Sequence, residues 1–158
     1  MNRDGGVVSS SVAHFSGEIR CARPADYSRM AELAGQLGYP STSEDIARRL
    51  AKMEESKEHT VFVAETEDGE VAGWMGLFVI RTPEADTRVE IGGLVVDERF
   101  RCHGVGERLL ERGERWAREN NCREIGLRSN VIRERAHAFY ERHGYQVVKT
   151  QKAFRKKL

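Results

Sequence analysis

Ile91-Gly92-Gly93-Leu94-Val95-Val96-Asp97-Glu98-Arg99-Phe100-Arg101-Cys102-His103-Gly104-Val105-Gly106 is the stretch that decides how this 158-residue chain is read. It starts as an apolar, β-branched strand and crosses a turn rich in Arg and Gly. A helix then opens, with Leu109, Leu110, Trp116 and Ala117 at helical spacing. Adjacent glycines inside the strand predict a bulge, or a place where another chain or ligand approaches the backbone. Arg101-x-x-Gly104-x-Gly106 lets a ligand come close without meeting a Cβ. The unpaired N–H groups of the helix's first turn, with the positive end of its dipole, suit a phosphate or pyrophosphate. A plain tight turn before a helix uses the same residue types. Two rival phosphate loops are excluded by identity. No Gly-Lys-Ser/Thr follows, and Leu109 stands where the dinucleotide fingerprint needs its third Gly.

Working outward, Glu18–Arg23 alternates polar and apolar residues, predicting a short strand that ends at Pro24. Asp26 is placed to cap a helix through Met30, Leu33, Ala34 and Leu37, stopped by Gly38-Tyr39-Pro40. Ser43 is placed to cap a second, through Ile46, Leu50 and Met53. Thr60–Glu65 and Val71–Ile80 read as strands around a turn at Glu67-Asp68-Gly69-Glu70, and Thr87–Val96 as a third. The long helix spans about Val105–Glu119. It is followed by a strand at Glu124–Arg128, a helix at Arg133–Arg142 and strands at Tyr145–Val148 and Lys152–Leu158. The order β-α-α-β-β-β-α-β-α-β-β predicts a mixed α/β domain with helices covering its sheet. Residues 1–16, small and Gly/Ser-rich, are expected to be disordered, leaving residues 17–158 as one domain.

Leu127-Arg128-Ser129-Asn130 ends a strand. Arg135-Ala136-His137-Ala138-Phe139-Tyr140-Glu141-Arg142-His143-Gly144-Tyr145 follows as a helix with a Gly stop. The pairing of Arg101-x-x-Gly104-x-Gly106 with Asn130 and Ala136-x-x-Phe139-Tyr140-x-x-x-Gly144-Tyr145 resembles the GNAT acetyltransferase superfamily from Ile91 to Tyr145. The resemblance implies a mostly antiparallel sheet, splayed at the cofactor site, with helices on both faces. It implies direct, metal-free transfer of an acetyl group from acetyl-CoA to a primary amine. The backbone of Leu94, Val95 and Val96 is then expected to pair with the pantetheine arm. The loop of Arg101, Cys102, His103, Gly104, Val105 and Gly106 is expected to hold the pyrophosphate, with Arg142 and Arg135 as further phosphate contacts. One N–H near Leu94 or Val95 is expected to stabilise an oxyanion at the thioester carbonyl. Asn130 is expected on the pantetheine or the approaching amine.

Tyr140 resembles the family's general acid, which protonates the departing thiolate. Phe139 and Tyr140 also suit the core of an amphipathic helix, and for Phe139 that is the preferred reading. An attacking ammonium must lose a proton. Glu90, which strand alternation turns away from Val89 and Ile91, is the candidate base; it also reads as a strand carboxylate paired with Arg88 or a neighbour. Cys102 needs no covalent role in direct transfer. Trp74 and Trp116 read as core residues.

Residues 1–100 carry 11 basic and 18 acidic groups, residues 101–158 carry 15 and 7. Segregation of this kind offers one surface to a cation and another to an anion, although solvated helix faces can produce it too. Glu54, Glu55, Glu58, Asp26, Glu44 and Asp45 are the groups expected to draw a cationic acceptor such as a polyamine, an aminoglycoside or a lysine side chain. A non-catalytic acetyl-CoA-binding module is the alternative. Nucleic-acid binding by Lys149–Lys157 is disfavoured, because Phe154 is the only aromatic residue there. No apolar run approaches the ~20 residues of a membrane span. Three cysteines without a C-x-x-C pair argue against a disulfide framework or zinc site, so the cytoplasm is expected. A homodimer is expected from the resemblance alone.

Overall fold

The computed structural model describes residues 14–158. The elements run β1 (Glu18–Cys21), α1 (Tyr27–Leu37), α2 (Ser43–Glu54), β2 (His59–Glu65), β3 (Val71–Thr82), β4 (Ala85–Val96), α3 (Val105–Glu119), β5 (Ile125–Leu127) and α4 (Glu134–Arg142). The five strands form one sheet in sequence order. β1 to β4 are antiparallel, and β5 joins β4 in parallel. This is the mixed α/β, mostly antiparallel arrangement expected, with helices on both faces.

Strand alternation sorts side chains between two cores. Met75, Leu77, Val89 and Ile91 pack with Leu109 and Leu110 of α3, while Val61, Val63 and Val95 pack with Met30 and Leu33 of α1 and Ile46 and Leu50 of α2. Leu109 and Leu110 are essentially solvent-free, and each contributes on the order of 2 kcal/mol through burial.

Three local readings are corrected. The cap of α2 is Thr42, which accepts from the Asp45 N–H while Asp45 accepts from the Thr42 N–H, so Ser43 is already inside the helix. Asp26 precedes α1 but does not cap it. Its buried carboxylate accepts from the Arg23 N–H and from Arg20, tying β1 to the following turn. The strands expected at Tyr145–Val148 and Lys152–Leu158 do not form. Tyr145 is held against Tyr140, and beyond it Val147, Val148, Phe154 and Leu158 are exposed. β-Branched residues favour a strand only when an edge lies in register, and no described segment pairs with the tail. Of the expected N-terminal tail, residues 1–13 lie outside the described residues. Phe15 packs against the α3-side core and donates its N–H to His103 O at 2.7 Å.

Candidate active site

β4 is longer than its partnership with β5. Val89, Glu90 and Ile91 pair with Ile125, Gly126 and Leu127, and there the ladder stops. β4 continues to Val96, and among the described strands it is laddered there with β3 alone, through Gly93↔Gly76, Leu94↔Met75, Val95↔Trp74 and Val96↔Gly73. Gly92 is the extra residue between the Gly93 and Ile91 pairings, so the expected bulge sits where β4 and β5 part. Main-chain groups of β4 beyond Ile91 that face the gap have no strand partner.

The gap leads into the Arg/Gly turn. Asp97 accepts from the Arg99 N–H at 2.8 Å and starts a short 3-10 turn over Glu98–Phe100. Arg101 is exposed, and its Nε donates to Val96 O at 3.2 Å, so this side chain braces the loop. Cys102 is exposed at φ 63°, and His103 Nδ1 lies 2.7 Å from Arg101 O. Gly104 occupies the N-cap of α3 at φ 84°, where it offers no side chain to cap the helix. The first-turn N–H groups of Val105 and Gly106 therefore remain for an anion. A Cβ on Gly106 would lie 2.9 Å from Phe139 Cζ, so this glycine is what lets α4 close against α3.

Asp97 anchors the turn from beneath. It is 2% exposed and also bonds the side chains of Arg29 from α1 and Arg99. Burial alone would raise its pKa. The Arg99 side chain and N–H, with the Arg29 guanidinium, outweigh this and hold it at about 2. A folded-state pKa below the unfolded value of about 3.9 contributes stability that is complete above pH ~4 and fades as pH falls toward ~2. Asp97→Asn is expected to cost about 2 kcal/mol at pH 7 in urea unfolding, with the gap to wild type closing near pH 2. A constant gap over that range would show that the charge is not what the arginines hold.

α4 carries Tyr140, Arg135 and Arg142 of the residues expected at the site. Phe139 packs edge-on to Tyr140 and His143, with ring centroids 5.3 and 4.7 Å away, which is the core role preferred for it. Tyr140 is half-buried between Phe139 and Tyr145. Burial raises its pKa, Arg133 opposes this, and the direction remains upward. Its hydroxyl has no hydrogen-bond partner among the described residues. Asn130 is exposed, and its Oδ1 accepts from the Ile132 N–H at 3.2 Å, so the carboxamide oxygen shapes the turn before α4. Arg142 is exposed in the last turn of α4, as is Arg135 in its first.

Glu90 is 8% exposed, and its partner is Arg128 at 3.2 Å rather than Arg88. The acidic groups expected to draw a cation are partly committed elsewhere. Asp26 pairs with Arg20, Asp45 with Arg48 and Glu58 with Arg81. Arg133 was missed by the sequence reading. From the N-cap of α4 it donates to Leu37 O at 2.5 Å, linking the start of α4 to the end of α1. A lone Arg before a helix carries no signal that identifies such a contact. Trp116 is buried, and Trp74 is half-buried with its indole donating to Met30 O at 3.2 Å. Among the described residues no three His, Cys, Asp or Glu side chains converge to hold a metal, and no helix is long and apolar enough to cross a membrane.

The family model described as "Acetyltransferase (GNAT) family" matches residues 27–145, well over half of the chain. The chain belongs to that family. Its comparison with curated proteins gives no match. Among solved structures, it is similar to a transcriptional regulator from Bacillus halodurans C-125, with TM-score 0.78 and 22% identity over 89% of this chain and 99% of that one. It is also similar to glucosamine-6-phosphate N-acetyltransferase from Arabidopsis thaliana, with TM-score 0.76 and 24% identity over 89% and 98%. Another is the aminoglycoside antibiotic 6'-N-acetyltransferase AAC(6')-IG from Acinetobacter haemolyticus, at 0.76 and 18% over 89% and 99%. At these identities the likeness speaks for the fold. The family uses acetyl-CoA as acyl donor, and the unpaired β4 edge running into an uncapped helix N-terminus suits a long ligand with a diphosphate at one end.

Proposed function

We propose that this GNAT-family protein transfers an acetyl group from acetyl-CoA directly to a primary amine. The observation that carries the reading is the end of the β4–β5 ladder at Ile91 and Leu127, followed on β4 by the turn into α3. The gap accepts an extended arm, with Leu94, Val95 and Val96 as main-chain partners. The Arg101–Gly106 loop holds the diphosphate mainly through the N–H groups of Val105 and Gly106, while the Arg101 side chain braces the loop. Arg142 and Arg135 add positive charge from α4.

Acetyl-CoA, once bound, supplies the activated acyl group. Glu90, directly or through water, takes the proton that an incoming ammonium must shed. As the new N–C bond forms and the C–S bond breaks, Tyr140 gives its phenolic proton to the departing sulfur, and the second proton shed by the acylated nitrogen restores the phenol. Its raised pKa keeps that proton in place at neutral pH. Asn130 has its carboxamide N–H groups free for the arm or the amine, its oxygen being used in the turn. Two of the fold neighbours are named for amine acceptors, an aminoglycoside and an amino sugar phosphate, and both support an amine here. The exposed thiols of Cys21 and Cys102 suit a reducing cytoplasm. The outer edge of β5 and the exposed tail beyond Tyr145 suit pairing with a second copy as a homodimer.

The test combines calorimetry with CoA, a thiol-release assay with acetyl-CoA over a panel of amines, and light scattering on the same preparation. Binding below millimolar CoA, amine-dependent thiol release and a mass of two chains are expected. No heat at millimolar CoA would remove the enzymatic reading, and a one-chain mass would remove the dimer.

A further inference from the structure

The segment that leads into β1 is strapped to the turn before α3. Phe15 donates its N–H to His103 O at 2.7 Å, and its own carbonyl accepts from Arg108 Nη1 at 3.2 Å. The Arg108 guanidinium also lies over the Phe15 ring, 5.9 Å from its centroid. The His14 ring reaches the same turn, with Nδ1 3.8 Å from where a Cβ on Gly104 would stand. Gly17 seats the strap from behind. A Cβ there would collide with Glu65 O and Phe15 Cζ, so a glycine is what lets the half-buried ring fold back against the end of β2.

These contacts fix one peptide plane. Among the described residues no peptide bond is cis, so the C=O and N–H of the His103–Gly104 unit point in opposite directions. With the carbonyl turned to Phe15, the Gly104 N–H is turned away from the strap, and it has no main-chain acceptor among the described residues. The strap runs into β1, at one edge of the sheet, whereas the gap opens at the other, between β4 and β5. In the chain, Gly104 N–H comes next to those of Val105 and Gly106 in the first turn of α3.

We propose that Phe15 is a positioning residue for the cofactor. By holding the His103 carbonyl it aims the Gly104 N–H at the diphosphate, as a third main-chain donor beside Val105 and Gly106. This rests on the diphosphate site proposed above. A peptide plane held in advance needs no ordering when the ligand arrives, and a bond to a charged oxygen is stronger than one to a neutral acceptor. Without the strap the plane is free to turn, and the loop offers two donors in place of three.

The test uses the full chain with CoA as the probe. Phe15→Leu keeps an apolar side chain and the N–H, whereas Phe15→Pro keeps an apolar side chain and removes the N–H. By calorimetry, Phe15→Leu is expected to bind CoA within about twofold of wild type, and Phe15→Pro about tenfold more weakly. In amide NMR spectra, CoA is expected to move the wild-type Gly104 proton downfield, and to move it far less in Phe15→Pro at saturation. Pantetheine, which lacks the diphosphate, should leave that proton in place. Gly17→Ala expels the Phe15 ring without touching the loop, so it should act in the same direction and serves if Phe15→Pro does not fold. Variants that bind CoA as wild type does overturn the role of Phe15, as does a weakened affinity with the Gly104 shift intact, which marks a general effect of packing. Either result leaves the acetyltransferase reading standing. No CoA binding by wild type removes the diphosphate site, and the role of the strap with it.

Discussion

Replacing Tyr140 by phenylalanine is expected to lower kcat by at least about 10²-fold while CoA binds within twofold of wild type. The change removes one oxygen from a ring held edge-on between Phe139 and Tyr145, so packing is retained. What disappears is the proton for the departing thiolate, and positioned general acids contribute on the order of 10²–10⁴ in rate. Wild type should carry a matching pH signature. Burial raises the Tyr140 pKa, so the fall in kcat from its deprotonation comes only above the ordinary tyrosine range, and not near neutrality. A kcat within twofold of wild type would show that the proton comes from elsewhere. A protein that binds acetyl-CoA without turning it over would instead show no amine-dependent thiol release in either form.

The second large effect belongs to Gly104. Valine there forces a β-branched residue to φ 84°, a strain of about 1–3 kcal/mol that the loop can relieve only by moving. Either course turns the N–H groups of Val105 and Gly106 away from an anion. CoA affinity, read by calorimetry, is expected to fall at least about tenfold. Gly69, in the β2–β3 turn at φ 83° with nothing within 4 Å of an added Cβ, supplies the control. Gly69→Val carries similar strain and should lose similar stability, yet leave CoA affinity untouched. If both variants lose affinity together, the Gly104 effect is one of stability, and the diphosphate site lies elsewhere.

Much of this arrangement was legible in residue order because the physics is local. The bulge at Gly92, the hairpin around Gly69 and the span of α3 follow from glycine placement and apolar periodicity, and each appears at or near its expected position. The tail beyond Tyr145 was misread for a non-local reason. Val147 and Val148 favour extended backbone, but a strand needs a neighbour in register, and sequence says nothing about which edge is open. Polar pairing was opaque for the same reason. Asp26 looked like a helix cap or an acceptor carboxylate until Arg20 folded over it, and Glu90 met Arg128 from just beyond β5 rather than Arg88 on its own strand. For Asn130, expected as a ligand contact, residue order gave no sign that the turn before α4 engages its side-chain oxygen.

The contact of Phe139 with Gly106 also carries a consequence for sequence drift. Because 2.9 Å separates a would-be methyl from the ring, volume gained at one position must be surrendered at the other. The two sites are therefore expected to change together rather than singly, with alanine at 106 accompanied by a smaller side chain at 139. Selection at the start of α3 thereby reaches a residue 33 places further along the chain.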